Sequence, residues 1–234
     1  MKNIVNEKPS EVLCGRLLYT TEFVDDVDLS DKKVLNIGCG YGWFELNSLS
    51  KNIGDIIGAE ISENDLTTAK NNVINNRVSF VVSSAIDIKQ DDKIFDTVTS
   101  WEVIEHIPKK TEKKMFEEVN RVLKDGGIFY LSTPNKNILS NLLDPAWYFG
   151  HRHYSLDKLA KIANHNGFEI EKYSIKGGVW EMLSVVNMYI SKWILRRRPI
   201  FLNFFINKSK KEYNKNKNYS YDLLIKFKKI KNIQ

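Results

Sequence analysis

Apolar residues recur along the chain in two rhythms, one of helical period and one of strand period, and their alternation predicts the elements. Helical spacing marks residues 10–26, after which Lys33–Ile37 is a short apolar run leading straight into Gly38, Cys39, Gly40, Tyr41 and Gly42. A helix is expected through Leu49, then strands at Ile56–Glu60 and Val78–Val82 on either side of a helix over Asn64–Asn75. Thr97–Trp101 reads as a fourth strand, and Thr111–Leu123 as a helix ended by Asp125, Gly126 and Gly127. Ile128–Ser132 is a fifth strand, stopped by Pro134. A helix over Leu156–Asn166 closes at Gly167, and strands are expected at Phe168–Ile175 and Leu223–Phe227. Strands alternating with helices predict an α/β fold with a mostly parallel sheet covered on both faces. Its ligand should lie at the carboxyl ends of the strands, where the strand order reverses.

Composition narrows the class. A chain of 234 residues is ample for one buried core, so a single domain with insertions is expected. The two cysteines, Cys14 and Cys39, have neither disulfide density nor metal-ligand spacing, and no apolar export signal opens the sequence; a reducing cytoplasm is the expected compartment. The net charge of +6 is unevenly placed: residues 192–234 carry +11 and the first 191 carry −5. A nucleic-acid face would spread its charge over the domain, whereas this asymmetry points to one segment meeting an anionic surface.

The glycine turn makes the first chemical statement. Glycines at 38, 40 and 42 let the backbone turn tightly and approach a ligand, while the next helix offers free N–H groups. A dinucleotide fingerprint would need glycine at 43, where Trp43 stands and would obstruct a pyrophosphate, so NAD is disfavoured. Glu60 ends the second strand 18 residues after Gly42, where a carboxylate can accept from both hydroxyls of a ribose.

Four ordered segments carry a family resemblance. Residues 34–42 (VLNIGCGYG), Gly58-Ala59-Glu60-Ile61-Ser62, residues 95–107 (FDTVTSWEVIEHI) and Arg121–Gly127 with Ser132-Thr133-Pro134-Asn135 resemble the motifs of class I S-adenosylmethionine-dependent methyltransferases, near the ubiquinone-pathway O-methyltransferases. The resemblance implies a Rossmann-like sheet of seven strands with a final antiparallel strand. It also implies S-adenosyl-L-methionine as cofactor, held by Asn36, Gly38, Cys39, Gly40, Gly42, Glu60, Ile61, Ser84, Ala85 and Trp101, with Ser84 at the adenine. Asn36 stands where the family usually has an acid. Ser100-Trp101-Glu102 replaces the Asn/Asp-Pro-Pro-aromatic signature, which argues against amide and exocyclic-amine acceptors and for O-methylation of a small or lipid-like molecule.

A hydroxyl acceptor benefits from a base near neutral pKa, and His106, His151 and His153 fall in the loops after the fourth and fifth strands; His165 lies in a helix and is read as structural. Glu102, Glu105, His106 and His151 could alternatively hold a divalent metal, as in some methyltransferases that resemble this chain. The expected division is an N-terminal helical cover over 1–29, a cofactor-binding core over 30–178, an insertion over 179–215, and the last strand with a basic tail over 216–234. The insertion mixes Met182–Ile190, Trp193–Leu195 and Phe201–Ile206 with Arg196–Arg198, which suits a lid, a dimer face or a segment lying at the inner face of a membrane. An RNA 2′-O-methyltransferase is the alternative enzyme, disfavoured by the acidic domain, and a catalytically weak cofactor-binding protein is the alternative outside catalysis.

Overall fold

The computed structural model describes residues 13, 15–197, 199–213 and 221–232. The start of the expected first helix, Cys14, Arg198 and the side chain of Trp193 lie outside the described set. Within that set, α1 (Gly15–Phe23) leads through a 3-10 turn at Asp26–Asp28 to β1 (Lys33–Ile37). Next come α2 (Trp43–Ser48), β2 (Asp55–Glu60), α3 (Glu63–Asn72) and β3 (Val78–Val82). After them come β4 (Phe95–Trp101), α4 (Glu112–Val122), β5 (Leu123–Pro134) and α5 (Ile138–Leu143). The chain continues with α6 (Leu156–His165), β6 (Phe168–Lys176), α7 (Val179–Tyr189), α8 (Leu202–Tyr213) and β7 (Asp222–Lys229).

The strands form one sheet in the order β3-β2-β1-β4-β5-β7-β6. Pairings from β3 to β5 are parallel, and β7 runs antiparallel to both β5 and β6. This is the Rossmann-like arrangement expected, and its order reverses between β1 and β4, where the glycine turn sits. Side chains alternate across the sheet. Leu35, Ile37, Val98, Phe129, Leu131, Ile225 and Phe227 face Met115, Phe116, Val119 and Val122 of α4 and Leu159 and Ala163 of α6. Val34, Ile56, Trp101, Tyr130 and Leu224 face Phe23 of α1 and Phe44 of α2 on the other side. The four apolar positions of α4 recur at helical spacing, so one stripe faces the sheet while charged residues face water.

Element ends differ from expectation for local reasons. Ser62 caps α3 by accepting from the Asp65 N–H (3.3 Å), so that helix starts at Glu63, and it stops at Asn72 because Val73 is extended. Leu123 is already extended and pairs with Phe95, so β5 begins before the glycines, which bulge out between the Leu123–Phe95 and Ile128–Thr97 pairs. Residues 179–213 form a helical hairpin: α7 runs into a π-helical turn at Ile190–Ile194, and α8 returns to pack on α7 and α1. Among the described residues no helix is long and apolar enough to cross a membrane.

Candidate functional site

The turn after β1 is built as the glycines require. Gly38, Gly40 and Gly42 have φ of 72°, 54° and 85°, in the left-handed region that only glycine enters freely. The turn is pinned from the side by β2. The Gly38 and Cys39 N–H groups both donate to the Ala59 carbonyl (2.7 and 3.1 Å), and the Gly40 N–H donates to Glu60 Oε2 (3.1 Å). Glu60 Oε1 accepts from the Ile61 and Ser62 N–H groups (2.8 and 3.1 Å). Three bonds orient this carboxylate and leave acceptor capacity for a ligand. A side chain at Gly38 would collide with Val103, so the loop after β4 passes directly over the turn.

Two clefts meet here. One, of about 270 Å³, is lined by Ile37, Gly38, Glu60, Ile61, Ser83–Ala85 and the loop from Glu102 to Pro108. The other, of about 180 Å³, runs from Gly38 to Tyr41 past Trp43, Trp101, Glu102 and Ser132, and is roofed by Arg16, Leu17 and Thr20 of α1. Gly38 and Glu102 line both. Together they reach the size of small-ligand sites, roughly 300–1,000 Å³. Of the cofactor residues expected, Gly38, Cys39, Gly40, Glu60, Ile61, Ser84, Ala85 and Trp101 line these clefts, while Gly42 stands behind them at the start of α2.

Asn36 is a correction. It lines neither cleft: its Nδ2 donates to Glu45 Oε1 (2.8 Å) and its Oδ1 accepts from Thr99 (2.9 Å), so both ends of the buried amide are committed beneath the turn. The carboxyl group below the glycines is supplied by Glu45 of α2 instead.

Glu102 is held in the left-handed region (φ 57°) at the end of β4, a backbone strain typical of functional turns. Its Oε2 accepts from Arg16 (3.0 Å) and its Oε1 from the Ser132 hydroxyl (2.7 Å). Glu102 is thus drawn toward α1, and of the four residues expected to hold a metal, Glu105, His106 and His151 bring their ligand atoms within 4.8 Å of one another. Glu105 is buried, with Oε2 accepting from Thr133 (3.1 Å) and Oε1 unpartnered, 3.9 Å from His151 Nε2. Burial, with the Glu102 carboxylate nearby, pushes its carboxyl well above the usual range.

His106 stands at the mouth of the larger cleft, its ring 4.7 Å from that of His151. Loss of water around the ring, and then His151 beside it, lower its pKa, which keeps it a neutral imidazole near pH 7. His151 Nδ1 lies 2.8 Å from Asp144 Oδ2. His153 is the second correction, because it is buried, with Nε2 on Asp144 (2.8 Å) and Nδ1 on Asn141 (2.8 Å), and it lines neither cleft. It braces Asp144 from behind; His151 also lines neither cleft, and His106 alone of the three stands on one. His165 lies in the last turn of α6 at the surface, its Nδ1 2.6 Å from the Lys161 carbonyl.

Four contributors escaped sequence reasoning: Arg16, Ser132, Asp144 and Arg152. Arg152 donates to the carbonyls of Ile104 and Ile107 (2.8 and 2.5 Å), fastening the His106 loop to the His151 loop. Only Asp144 carried a local signal, an Asp-Pro pair that opens a turn; the others act across 30 to 86 residues of sequence.

Comparisons with known proteins agree with this geometry. The family described as a methyltransferase domain matches residues 11–173. A ubiquinone biosynthesis O-methyltransferase of Aliivibrio fischeri is 32% identical over 130 residues, covering 54% of this chain and 53% of that protein, so the chain spans about half the length of the relatives it matches. An S-adenosylmethionine-dependent methyltransferase of Mesorhizobium loti superposes with a TM-score of 0.63 at 13% identity, covering 90% of this chain and 96% of that one. The [4+2]-cyclase SpnF superposes with 0.64 at 19% identity, covering 94% and 88%. These two establish the fold alone, and the cyclase illustrates that one sheet serves different chemistries.

Proposed function

The chain belongs to the class I S-adenosylmethionine-dependent methyltransferase family, and on that premise we propose that it moves the methyl group of S-adenosylmethionine to a hydroxyl of a small or lipid-like acceptor. The observation that carries this reading is the pair of clefts joined at Gly38 and Glu102. The larger offers Glu60 to a ribose and Ser84 and Ala85 to an adenine. The smaller offers the glycine turn, Trp101 and Arg16 to an amino-acid tail. The O-methyltransferase relatives support an oxygen acceptor.

Methyl transfer from a sulfonium is an in-line displacement. The acceptor oxygen forms a bond to the methyl carbon as the carbon–sulfur bond breaks, the sulfonium becomes a neutral thioether, and the hydroxyl proton must leave. Most of the rate comes from holding oxygen, carbon and sulfur in line. His106, at the mouth of the larger cleft, supplies the base that accepts that proton, with the His151 ring packed against it. One observation favours a second version: the unpartnered Oε1 of Glu105, with His106 and His151, makes a donor set suited to a divalent ion, which would lower the acceptor hydroxyl's pKa.

In this reading residues 30–178 hold the cofactor and α1 covers it. The hairpin within 179–215 meets an anionic membrane at its inner face. Ile190, Ile194, Leu195, Phe201 and Phe204 are exposed on the hairpin beside exposed Arg196, Arg197, Lys208, Lys210 and Lys211.

Calorimetry with S-adenosylhomocysteine and with NAD tests the core of the proposal. The first should bind and the second should not, and Glu60→Ala should weaken binding by roughly 10 to 150-fold, the equivalent of about 1.5–3 kcal/mol for a lost charged acceptor. Tight NAD binding without S-adenosylhomocysteine would overturn it. Screening phenols and lipid extracts with labelled S-adenosylmethionine then identifies the acceptor. With that acceptor, His106→Ala and His151→Ala should each slow transfer by roughly 100 to 10,000-fold while His153→Gln keeps a base in place. Activity that survives a chelator discards the metal version.

A further inference from the structure

We infer that Asp144 is a positioning residue that fixes His151 as the tautomer protonated at Nδ1, so that the bare Nε2 lone pair faces Glu105 and the His106 ring. The role in proton removal rests on the methyltransferase reading; the tautomer does not.

The argument starts from the carboxylate. Asp144 is buried, and its Oδ2 lies 2.8 Å from both His151 Nδ1 and His153 Nε2, while its Oδ1 accepts from the Ala146 N–H (2.9 Å). A carboxyl of ordinary pKa is ionised at neutral pH, and the Ala146 N–H donated to its Oδ1 favours that form. An ionised carboxylate only accepts, so each ring nitrogen that faces it must carry a proton. A neutral His151 ring protonated at Nδ1 has its lone pair at Nε2, and Nε2 points to the side where Glu105 Oε1 lies 3.9 Å away and the His106 ring stands.

The support is rigid as well as polar. Asp144 opens the 3-10 turn Pro145–Phe149, and the same Ala146 that binds its Oδ1 accepts the His151 N–H at its carbonyl (3.0 Å). One turn therefore holds both the carboxylate and the ring it orients. His153, packed against Trp147 and Tyr221, closes the other side.

Asp144→Asn gives a sharp test. The oxygen of the amide must stay at Oδ1 to accept from Ala146, which places the NH2 group where Oδ2 was and presents a donor to His151 Nδ1. The ring should then move its proton to Nε2 and aim an N–H toward Glu105 and His106. Ring-nitrogen NMR of 15N-histidine protein at about pH 8.5, roughly two units above the ordinary imidazole pKa, reads this directly, with His151→Gln assigning the signals. Wild type should show His151 protonated at Nδ1 and bare at Nε2, and Asp144→Asn should reverse the two with S-adenosylhomocysteine affinity unchanged. A wild-type ring protonated at Nε2 overturns the inference, and so does a folded Asp144→Asn protein whose His151 keeps its Nδ1 proton. If Asp144→Asn does not fold, the wild-type spectrum alone decides. Failure of wild type to bind S-adenosylhomocysteine would sink the methyltransferase reading and leave the tautomer assignment standing.

Discussion

Beneath the glycine turn Asn36 and Glu45 form a buried pair in which only one carboxyl oxygen has a partner. Burial, opposed by the hydrogen bond from Asn36, pushes Glu45 up to about 7 from its ordinary 4.5. The sign of the pH effect follows. Between roughly pH 4.5 and 7 the unfolded chain releases a proton that the folded chain keeps, so this group's contribution to stability is full below that window and is lost as pH rises through it. A shift of that size corresponds to about 3 kcal/mol. Urea denaturation at about pH 5 and about pH 8 should show wild type losing stability between the two, with Glu45→Gln losing less by up to that amount. Glu105 and Asp222 are also raised by burial and contribute to the wild-type slope, which is why the difference between the two proteins is the informative quantity. Equal slopes would mean that Glu45 does not titrate there. At this scale the sequence showed what backbone geometry demands, Gly38, Gly40 and Glu60. It could not show Asn36 turning inward, because an amide and an acid nine residues apart meet only when α2 folds back over β1.

The α7–α8 hairpin has two unlike faces. Its inner side is polar and closed: Ser209 donates to Glu181, the Trp180 N–H donates to Glu212 (2.9 Å), and Met182 is buried. Its outer side carries an aromatic cluster, with Trp180 edge-on to Phe204 (5.4 Å) and Lys208 over the Trp180 ring (5.3 Å). At the bend, Arg196 and Phe201 adopt left-handed φ of 50° and 52°. Each basic residue near an anionic surface contributes about 1 kcal/mol, so Arg196→Ser with Arg197→Ser should weaken binding to phosphatidylserine-containing vesicles by roughly 30-fold. Binding should also fall steeply with salt, since charges beyond a Debye length of ~8 Å are screened. Co-sedimentation checks both; no pelleting at low salt would leave the hairpin as a lid or subunit face. Composition alone made the segment legible as apolar and basic. Its hairpin was not, because the turn around Pro199 is made by a π-helical stretch and two residues of left-handed φ, none of them glycine. The helix of α4, by contrast, was read almost to its ends, since four buried apolar positions at helical spacing leave one solution.

Over the whole molecule, the sheet order brings together six segments distant in sequence: α1, the turn after β1, and the ends of β2, β3, β4 and β5 all line the joined clefts. Alternating rhythms and the Gly38 turn were enough to foresee a mostly parallel sheet, with clefts at its switch point. The roof formed by Arg16 was not foreseeable, because it depends on how a helix 86 residues before Glu102 settles across the sheet. A ligand that bridges all these segments binds the folded chain and not the unfolded one, so it must raise the unfolding temperature. At 100 times its dissociation constant S-adenosylhomocysteine should add about 2.7 kcal/mol. For a chain of this length each kcal/mol is worth roughly 2–4 °C, which gives an expected rise of roughly 5–11 °C in a thermal melt. NAD at the same concentration should give none, since Trp43 flanks the turn where a pyrophosphate would pass. Glu60→Ala with an affinity loss of ~30-fold would sit at only about three times its dissociation constant, leaving about 0.8 kcal/mol and a rise of roughly 2–3 °C. The ordering of the three shifts carries the test: an equal rise with NAD would show that the clefts accept any adenosine ligand. A full rise in Glu60→Ala would move the ribose away from β2, and the cofactor would then have to lie along the cleft in the opposite sense.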